Sequence, residues 1–191
     1  PQGVITHMYR DIAAHNPATF SKVGLHTFVD PRLEGGKLNG RTKEDLVKLV
    51  EVEGQECLLY RCFPINAVFL RASWADEYGN CTAHREIGPT DLTAMAQACR
   101  NSGGKVIVQV EKIVAGGTLD PKLVVIPGIY VDALVVGSET EHQQCMDAAY
   151  DGSLTGEFRV PADAPEPLPL DARKVIARRA AMELRPGAVV N

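Results

Sequence analysis

The sequence has no excess of basic residues and none of the short motifs that mark common enzyme classes. Lysine and arginine total 20 against 24 aspartate and glutamate, which gives a net charge of -4 and a pI near 5.7. We therefore expect neither nucleic acid nor an anionic membrane as a partner. The sequence also has no GxGxxG, GxxxxGK[ST], GxSxG or HExxH pattern, so the usual dinucleotide, P-loop, serine-hydrolase and zinc-protease signatures are missing.

Long hydrophobic runs and a signal peptide are also missing. The most apolar window, residues 123–136, is too short to cross a membrane and contains Pro127 and Asp132. We therefore expect a soluble, cytoplasmic protein. The chain starts at Pro1 without a methionine and ends in an apolar stretch, so we interpret it as a piece of a longer polypeptide.

Paired cysteines and clustered histidines are absent. The five cysteines are odd in number, scattered and without a CxxC pair, so we expect reduced thiols packed as small hydrophobic residues. The five histidines are dispersed, and none has metal-ligand spacing with a cysteine or another histidine. The sequence therefore predicts no metal site.

Two apolar segments bounded by glycine and proline dominate the middle of the chain. Residues 106–110 and 123–136 are rich in valine, isoleucine and leucine, which is typical of strands covered on both faces. Between residues 90 and 102, apolar residues recur at intervals of three and four, and Gly103 and Gly104 predict the end of a helix. A helix leading into a buried strand indicates an α/β fold with one mixed, largely parallel sheet flanked by helices.

Other elements are predicted on both sides of this core. Residues 4–15 keep one helical face, residues 49–62 predict a hairpin around Gly54, and residues 65–75 predict a further strand. We expect these middle strands to add antiparallel edges to the mixed sheet. A further helix is predicted over residues 141–150.

The composition changes after residue 150. Residues 151–170 contain four prolines among glycine, alanine and acidic residues, which predicts a semi-rigid linker. Asp171 is a good N-cap for a following helix, and Val189–Val190 would begin a strand. We therefore predict a first domain at residues 1–150, a linker at residues 151–170 and the start of a second domain at residues 171–191.

Two segments are suited to binding a ligand on physical grounds. Gln2 and Gly3 are predicted to form a loop at the N-terminus of the first helix, where free N–H groups attract a negative charge or a polarised carbonyl oxygen. Residues 20–40 predict a short strand to Gly24 and then a glycine-rich loop that could lie over a ligand. Composition, periodicity and spacing lead no further than an α/β domain with a linker.

The order of several short blocks goes further. These blocks are Pro1-Gln2-Gly3, residues 23–27 (VGLHT), 75–80 (ADEYGN), 110–114 (VEKIV), 126–132 (IPGIYVD) and 170–181 (LDARKVIARRAA). In this order and spacing they resemble the family I coenzyme A transferases over nearly the whole chain. The chain looks closest to the acetate or propionate CoA-transferase branch, and succinyl-CoA:3-oxoacid CoA-transferase is similar in the same blocks.

This resemblance implies an architecture and a reaction. The chain would be the later part of the family's N-terminal domain, a linker and the first helix of the C-terminal domain. Acyl-CoA and a short-chain carboxylate would be the reactants, CoA would be a substrate with no bound cofactor, and the intermediate would be a glutamyl-CoA thioester formed in a ping-pong reaction. The nucleophilic glutamate would lie in the remaining parts of the same polypeptide, which we expect to form a homo-oligomer. The piece alone is expected to be inactive.

The resemblance also implies site residues. Gln2 matches the glutamine of the family's Pro-Gln-Gly, and its amide can donate a hydrogen bond to a substrate carboxylate or thioester oxygen; the alternative is that Gln2 merely caps the helix. Gly3, Gly24 and Thr27 are implied as substrate-binding residues. The resemblance predicts glycine at position 26, where the sequence has His26, and we interpret this histidine as exposed rather than catalytic.

Other interpretations remain open. A non-catalytic ligand-sensing or assembly module could have the same architecture, because fold does not fix function. A Rossmann-type oxidoreductase is disfavoured, since no dinucleotide fingerprint precedes any helix. Glu111 and Lys112 could form a structural ion pair or face a partner, and Asp132 is expected at a strand end with backbone partners.

Overall fold

A computed structural model describes residues 1–146, 148–161 and 163–190. The helices are α1 (Gln2–Ala13), α2 (Leu92–Asn101) and α3 (Ala172–Ala181), and single 3-10 turns lie at Pro121–Leu123 and Gly128–Tyr130. The strands are β1 (Ala18–Ser21), β2 (Val47–Val52), β3 (Gln55–Arg61), β4 (Ala67–Arg71), β5 (Trp74–Asp76), β6 (Cys81–Thr82), β7 (Lys105–Val110), β8 (Lys112–Val114), β9 (Val124–Ile126) and β10 (Ala133–Val136).

The strands of the described residues form three small sheets rather than the single sheet that the sequence predicts. Antiparallel pairing gives a sheet of order β1-β3-β2. Parallel pairing gives a sheet of order β10-β7-β4, in which Val108 lies opposite both Leu70 and Leu134. The strands β8, β5, β6 and β9 form a four-stranded mixed sheet. The α/β class and the parallel core are therefore confirmed, whereas the hairpin belongs to a sheet of its own.

The second apolar segment is not one central strand. Pro127 cannot donate a ladder hydrogen bond, and the chain turns after it through Gly128–Tyr130 before β10 begins. As a result β9 and β10 lie in different sheets. Residues 65–75 divide in the same way, into β4 and β5. The prediction of burial on both faces is also wrong for β10, whose residues are mostly exposed.

The larger hydrophobic core lies between α2 and the parallel sheet. On β7, Val106, Val108 and Val110 are fully buried and alternate with half-buried residues, because successive side chains point to opposite faces. We call this core the large cluster. Its buried members are Leu70, Ala72, Ala75, Cys81, Ala83, Leu92, Ala96, Cys99, Val106, Val108, Val110 and Ile126.

A second core, which we call the small cluster, joins α1 to the antiparallel sheet. Its buried members are Val4, Val29, Leu58 and Tyr60. Val4 comes from the first turn of α1, Val29 from the glycine-rich loop, and the other two from β3. The small cluster therefore fixes the start of the helix and the loop to one sheet.

The later part of the chain has little regular structure. The described residues of 141–150, which exclude Asp147, form turns and not the predicted helix, since Arg71 binds the backbone carbonyls of His142 and Gln143. Asp171 caps α3 as predicted, accepting from the Lys174 N–H at 2.9 Å. The residues Val189–Val190 form no strand in the described part of the chain.

The division into two domains and a linker remains a prediction, and Ala162 and Asn191 lie outside the described residues. Among the residues that the structure does describe, no helix is long and apolar enough to cross a membrane.

Candidate functional site

Gln2 and Gly3 form the first turn of α1 and not the loop that the sequence predicts before the helix, and both are exposed. The Pro1 carbonyl accepts from the N–H groups of Val4 and Ile5 at 3.1 and 3.2 Å. Within the described residues, the N–H groups of Gln2 and Gly3 have no acceptor, as is usual at a helix start. The Gln2 side chain is exposed and not buried in hydrocarbon, so its amide and the free N–H groups at the start of α1 are available to an oxygen atom.

The small cluster connects this helix start to the loop that carries Gly24 and Thr27. Val4, which follows Gly3 directly, is 1% exposed and packs in the same cluster as Val29. The four residues predicted from the resemblance therefore belong to two segments held by one core. Sequence reasoning had no local signal for this, because the contact joins distant parts of the chain.

Gly24 has a backbone conformation that only glycine accommodates without strain. Its φ is +100°, and a Cβ atom here would lie 2.4 Å from the Tyr60 hydroxyl and 2.6 Å from Cγ2 of Val29. The Gly24 carbonyl accepts from the N–H of Thr27 at 3.1 Å and from its hydroxyl at 2.8 Å. The Tyr60 hydroxyl donates to the Val23 carbonyl at 2.7 Å. The turn is thus tied both to itself and to β3.

A buried carboxylate completes the loop. Asp30 is fully buried and accepts from the His26 N–H at 2.8 Å and from the Arg32 Nε and Nη2 atoms at 3.0 and 2.8 Å. These hydrogen bonds, that of the Arg32 side chain first, hold the pKa of Asp30 well below its usual range. Arg32 also contacts Glu56 of β3 at 3.1 Å. Sequence reasoning missed Asp30, although an Asp-Pro-Arg block beside glycines is a signal for a local ion pair.

His26 lies on this loop with φ of +61°. The left-handed conformation is the one that glycine favours, which agrees with the glycine that the resemblance predicts here. The histidine is exposed, as the sequence predicts. The substitution therefore leaves the glycine-like backbone in place and adds an imidazole to the surface of the loop.

Two other charged groups are structural. Glu111 does not pair with Lys112; it binds Arg85 Nε at 3.0 Å and Trp74 Nε1 at 3.2 Å, while the Lys112 ammonium lies 3.7 Å from the centre of the Trp74 ring. A cavity of about 280 Å³ lies beside Glu111 and Arg85. It is lined by Arg85, Glu111, Gly137, Ser138, Glu139, His142, Ala149 and Tyr150. Glu111 therefore forms its ion pair with Arg85 and not with Lys112.

Asp132 lies directly before β10, as predicted for a carboxylate within an apolar run. It accepts from the Val106 N–H at 2.9 Å and pairs with Lys105 and Arg100 at 3.0 and 3.1 Å. The Val106 hydrogen bond first, and then Lys105, lower the pKa of this carboxyl group. All five cysteines are free thiols, and Cys81 and Cys99 pack in the large cluster. The described residues contain no group of three or more possible metal ligands.

Comparison with known proteins agrees with the resemblance. The chain is 50% identical over 194 residues to the caffeate CoA-transferase of Acetobacterium woodii, and the match covers 100% of this chain and 37% of that protein. It is 44% identical to the acetate CoA-transferase YdiF of Escherichia coli O157:H7, with 100% of this chain and 36% of that protein covered. The chain therefore spans about a third of the length of these relatives.

Fold and family comparisons lead to the same group. The crystal structure of the YdiF apoenzyme from Escherichia coli O157:H7 matches with a TM-score of 0.85 at 44% identity, covering 97% of this chain and 35% of that one. The mitochondrial succinyl-CoA:3-ketoacid coenzyme A transferase 2 of Homo sapiens is 28% identical over 201 residues, or 100% of this chain and 35% of that protein. The sequence model of coenzyme A transferases matches residues 1–137. The chain belongs to the coenzyme A transferase family.

Proposed function

We propose that this chain is part of an acyl-CoA:carboxylate CoA-transferase acting on short-chain acids such as acetate, propionate and acetoacetate. Membership of the family supports the reaction type, and relatives named for acetate and caffeate support a carboxylic acid as acceptor. The observation that carries the role of this chain is the exposed Gln2 amide beside the free N–H groups that begin α1. CoA would enter and leave as a substrate.

The proposed chemistry proceeds through a glutamate in the part of the polypeptide outside these residues. Its carboxylate attacks the thioester carbonyl carbon, the C–S bond breaks, and an acyl-glutamyl anhydride forms while CoA leaves as a thiolate. The thiolate then attacks the glutamyl carbonyl, and cleavage of the anhydride C–O bond releases the first acid and leaves glutamyl-CoA. A second acid reverses both steps and departs as the new acyl-CoA.

Gln2 would act on the oxyanions of this sequence. Negative charge develops on a carbonyl oxygen in each attack, and a donor held in place beforehand stabilises it without reorganisation. The amide of Gln2 supplies such a donor, and the helix dipole of α1 adds a favourable field. Gly3 would allow the substrate to approach the backbone closely, because it has no side chain and the space beside it is open. No atom lies within 4 Å of the position that a Cβ atom would take. Gly24 and Thr27 would form the pocket wall.

The experiment uses the full-length polypeptide that contains this chain, with acetyl-CoA as donor and propionate as acceptor. The wild type should form propionyl-CoA, and Gln2→Glu should lower kcat by about 10²-fold or more, because an acceptor replaces the donor. Glutamate suits the first turn of a helix, so folding should be retained. Gln55→Glu, on the exposed end of β3, is the matched control and should transfer CoA at the wild-type rate.

Two results would contradict the proposal. Wild-type protein that binds acyl-CoA without transferring CoA would favour the alternative, a non-catalytic ligand-sensing module. Wild-type transfer with an unaffected Gln2→Glu variant would retain the reaction and remove Gln2 from it. The intermediate can also be detected. Hydroxylamine added during the reaction should convert a glutamyl-CoA thioester into a hydroxamate on one glutamate.

A further inference from the structure

The loop beside the proposed pocket keeps a histidine where glycine would be less strained. His26 has φ of +61°, and strain of this kind persists only where surrounding contacts determine the backbone. Those contacts are present, because Asp30 accepts from the His26 N–H at 2.8 Å and Thr27 closes its turn onto Gly24. The loop geometry therefore belongs to the backbone and to Asp30, and the imidazole is not needed to form it.

The imidazole is also not used elsewhere in the described residues. The His26 side chain makes no hydrogen bond there, and the residue is exposed. Val23 and Phe28 on the same loop are 51% and 50% exposed, so two apolar side chains lie on its surface beside the exposed, polar Lys22 and Thr27. These apolar side chains suit the hydrocarbon part of a small acid. The carboxylate of the acid would instead bind the N–H donors at the start of α1.

We propose that His26 is a specificity-determining residue that narrows the acyl pocket and favours small carboxylic acids over bulky ones as acceptors of CoA. This inference rests on the proposed function, because it assumes that Gly24 and Thr27 form the pocket wall. Glycine at position 26 would leave the volume of an imidazole empty. In a hydrophobic pocket, a change of one methylene group already alters kcat/KM by about tenfold or more.

The test measures the ratio of kcat/KM for acetate to kcat/KM for a bulky acid, with cinnamate as the bulky probe and the full-length protein as enzyme. His26→Gly should shift this ratio by about tenfold or more towards cinnamate, while acetate transfer stays within about threefold of the wild type. His26→Asn is the second variant. Asparagine tolerates the left-handed conformation and is smaller than histidine, so an intermediate shift is expected.

A matched control comes from the turn after α1. His15 is also exposed and has φ of +59°, so His15→Gly makes the same chemical change in the same backbone conformation. It lies outside the loop that carries the proposed pocket wall and should leave the acid ratio unchanged. The urea midpoints of both glycine variants should equal or exceed that of the wild type, because glycine relieves the strain.

The outcomes separate the two proposals. An unchanged ratio in His26→Gly, together with a wild type that transfers CoA, would overturn the role of His26 and leave the proposed function intact. A wild type that transfers CoA to neither acid would overturn both. A shift of equal size in His15→Gly would also overturn the inference, since the effect would then follow from stability and not from the pocket.

Discussion

The large and small clusters are assembled in different ways. The large cluster is built by regular elements, with alternate residues of β7 facing the apolar side of α2. The small cluster takes Val4 from a helix start, Val29 from an irregular loop and Leu58 from a strand. Burial in the first follows from periodicity, whereas burial in the second depends on a few hydrogen bonds that shape the loop.

This difference distinguishes residues that serve stability from those that serve the proposed function. The segments that carry Gln2, Gly3, Gly24 and Thr27 are fixed to the small cluster, and the large cluster supports them through the packing of α2 against α1. A change in the large cluster should therefore lower the free energy of unfolding and leave the shape of the proposed pocket unaltered. A change at the small cluster should alter both quantities.

The largest effect is expected from Asp30→Asn, which tests whether the loop depends on its buried carboxylate. The amide nitrogen would point a donor towards the N–H groups of His26 and Arg32, and Arg32 would lose its closest anion. We expect a lower urea midpoint together with weaker CoA transfer. Asp132→Asn is the comparison at the parallel sheet, and it should lower the midpoint with transfer retained. Loss of transfer in both variants would contradict the distinction.

The carboxylate of Asp30 should also make the free energy of unfolding depend on pH in the acid range. The pKa of Asp30 is lowered in the folded protein from the ordinary value of 3.8, so its stabilising contribution is present above about pH 4. That contribution is lost as the pH falls through the lowered folded value. The free energy of unfolding of the wild type should therefore decrease below about pH 4, and Asp30→Asn should show a shallower decrease. Parallel curves for the two proteins would be the contrary result.

Ile126→Ala tests the large cluster alone. Ile126 is fully buried on β9, and removing its methyl and methylene groups leaves a cavity, so we expect a loss of about 3 kcal/mol in the free energy of unfolding. Urea denaturation of the full-length polypeptide, followed by circular dichroism, measures it. Ile129→Ala, at a residue 77% exposed, should change the value by less than about 0.5 kcal/mol. Similar losses at both positions would contradict the assignment of the core.

Gly24→Ala and Gly54→Ala separate backbone strain from steric contact. Both glycines have positive φ, but a Cβ atom at Gly54 meets nothing within 4 Å, whereas at Gly24 it meets Tyr60 and Val29. We expect a loss of about 1 kcal/mol at Gly54 from the left-handed backbone alone, and of about 2 kcal/mol or more at Gly24. Only Gly24→Ala should also alter the acid preference. Equal losses of unfolding free energy in the two variants, measured by urea denaturation, would show that the contact of residue 24 with β3 does not contribute to stability.

Sequence reasoning works best where the cause is local. The periodicity of α2 and its end before Gly103, the Asp171 cap of α3, the hairpin around Gly54 and the strand β7 are all properties of neighbouring residues, and all are confirmed. The end of α3 at Ala181 lies before Pro186-Gly187, where the sequence predicts it. The blocks that carry the resemblance are local as well, and their order identifies the family. Local patterns therefore account for the elements and the family, although not for their assembly.

Assembly is where prediction fails. The sequence of residues 123–136 contains the proline that divides it, but which sheet each half joins depends on strands that are distant in the chain. The same is true of the site, because the Tyr60 hydroxyl reaches the Val23 carbonyl across the antiparallel sheet. Gln2, Gly3, Gly24 and Thr27 could be named from the resemblance, whereas the contacts of Asp30 and Tyr60 that shape the loop could not.

The smallest effect is expected from Tyr60→Phe, which removes one hydroxyl group from the small cluster. Burial first, and then the charge of Asp30, raise the pKa of Tyr60, so its hydroxyl remains a donor to Val23. Phenylalanine leaves that carbonyl without the donor, and the expected loss is about 1 kcal/mol in the free energy of unfolding. Tyr130→Phe is the control at the large cluster, since its hydroxyl accepts from Gln97 at 3.0 Å. Both variants should lose similar stability, but only Tyr60→Phe should change the kcat/KM ratio for acetate and cinnamate, because only Tyr60 holds the proposed pocket wall.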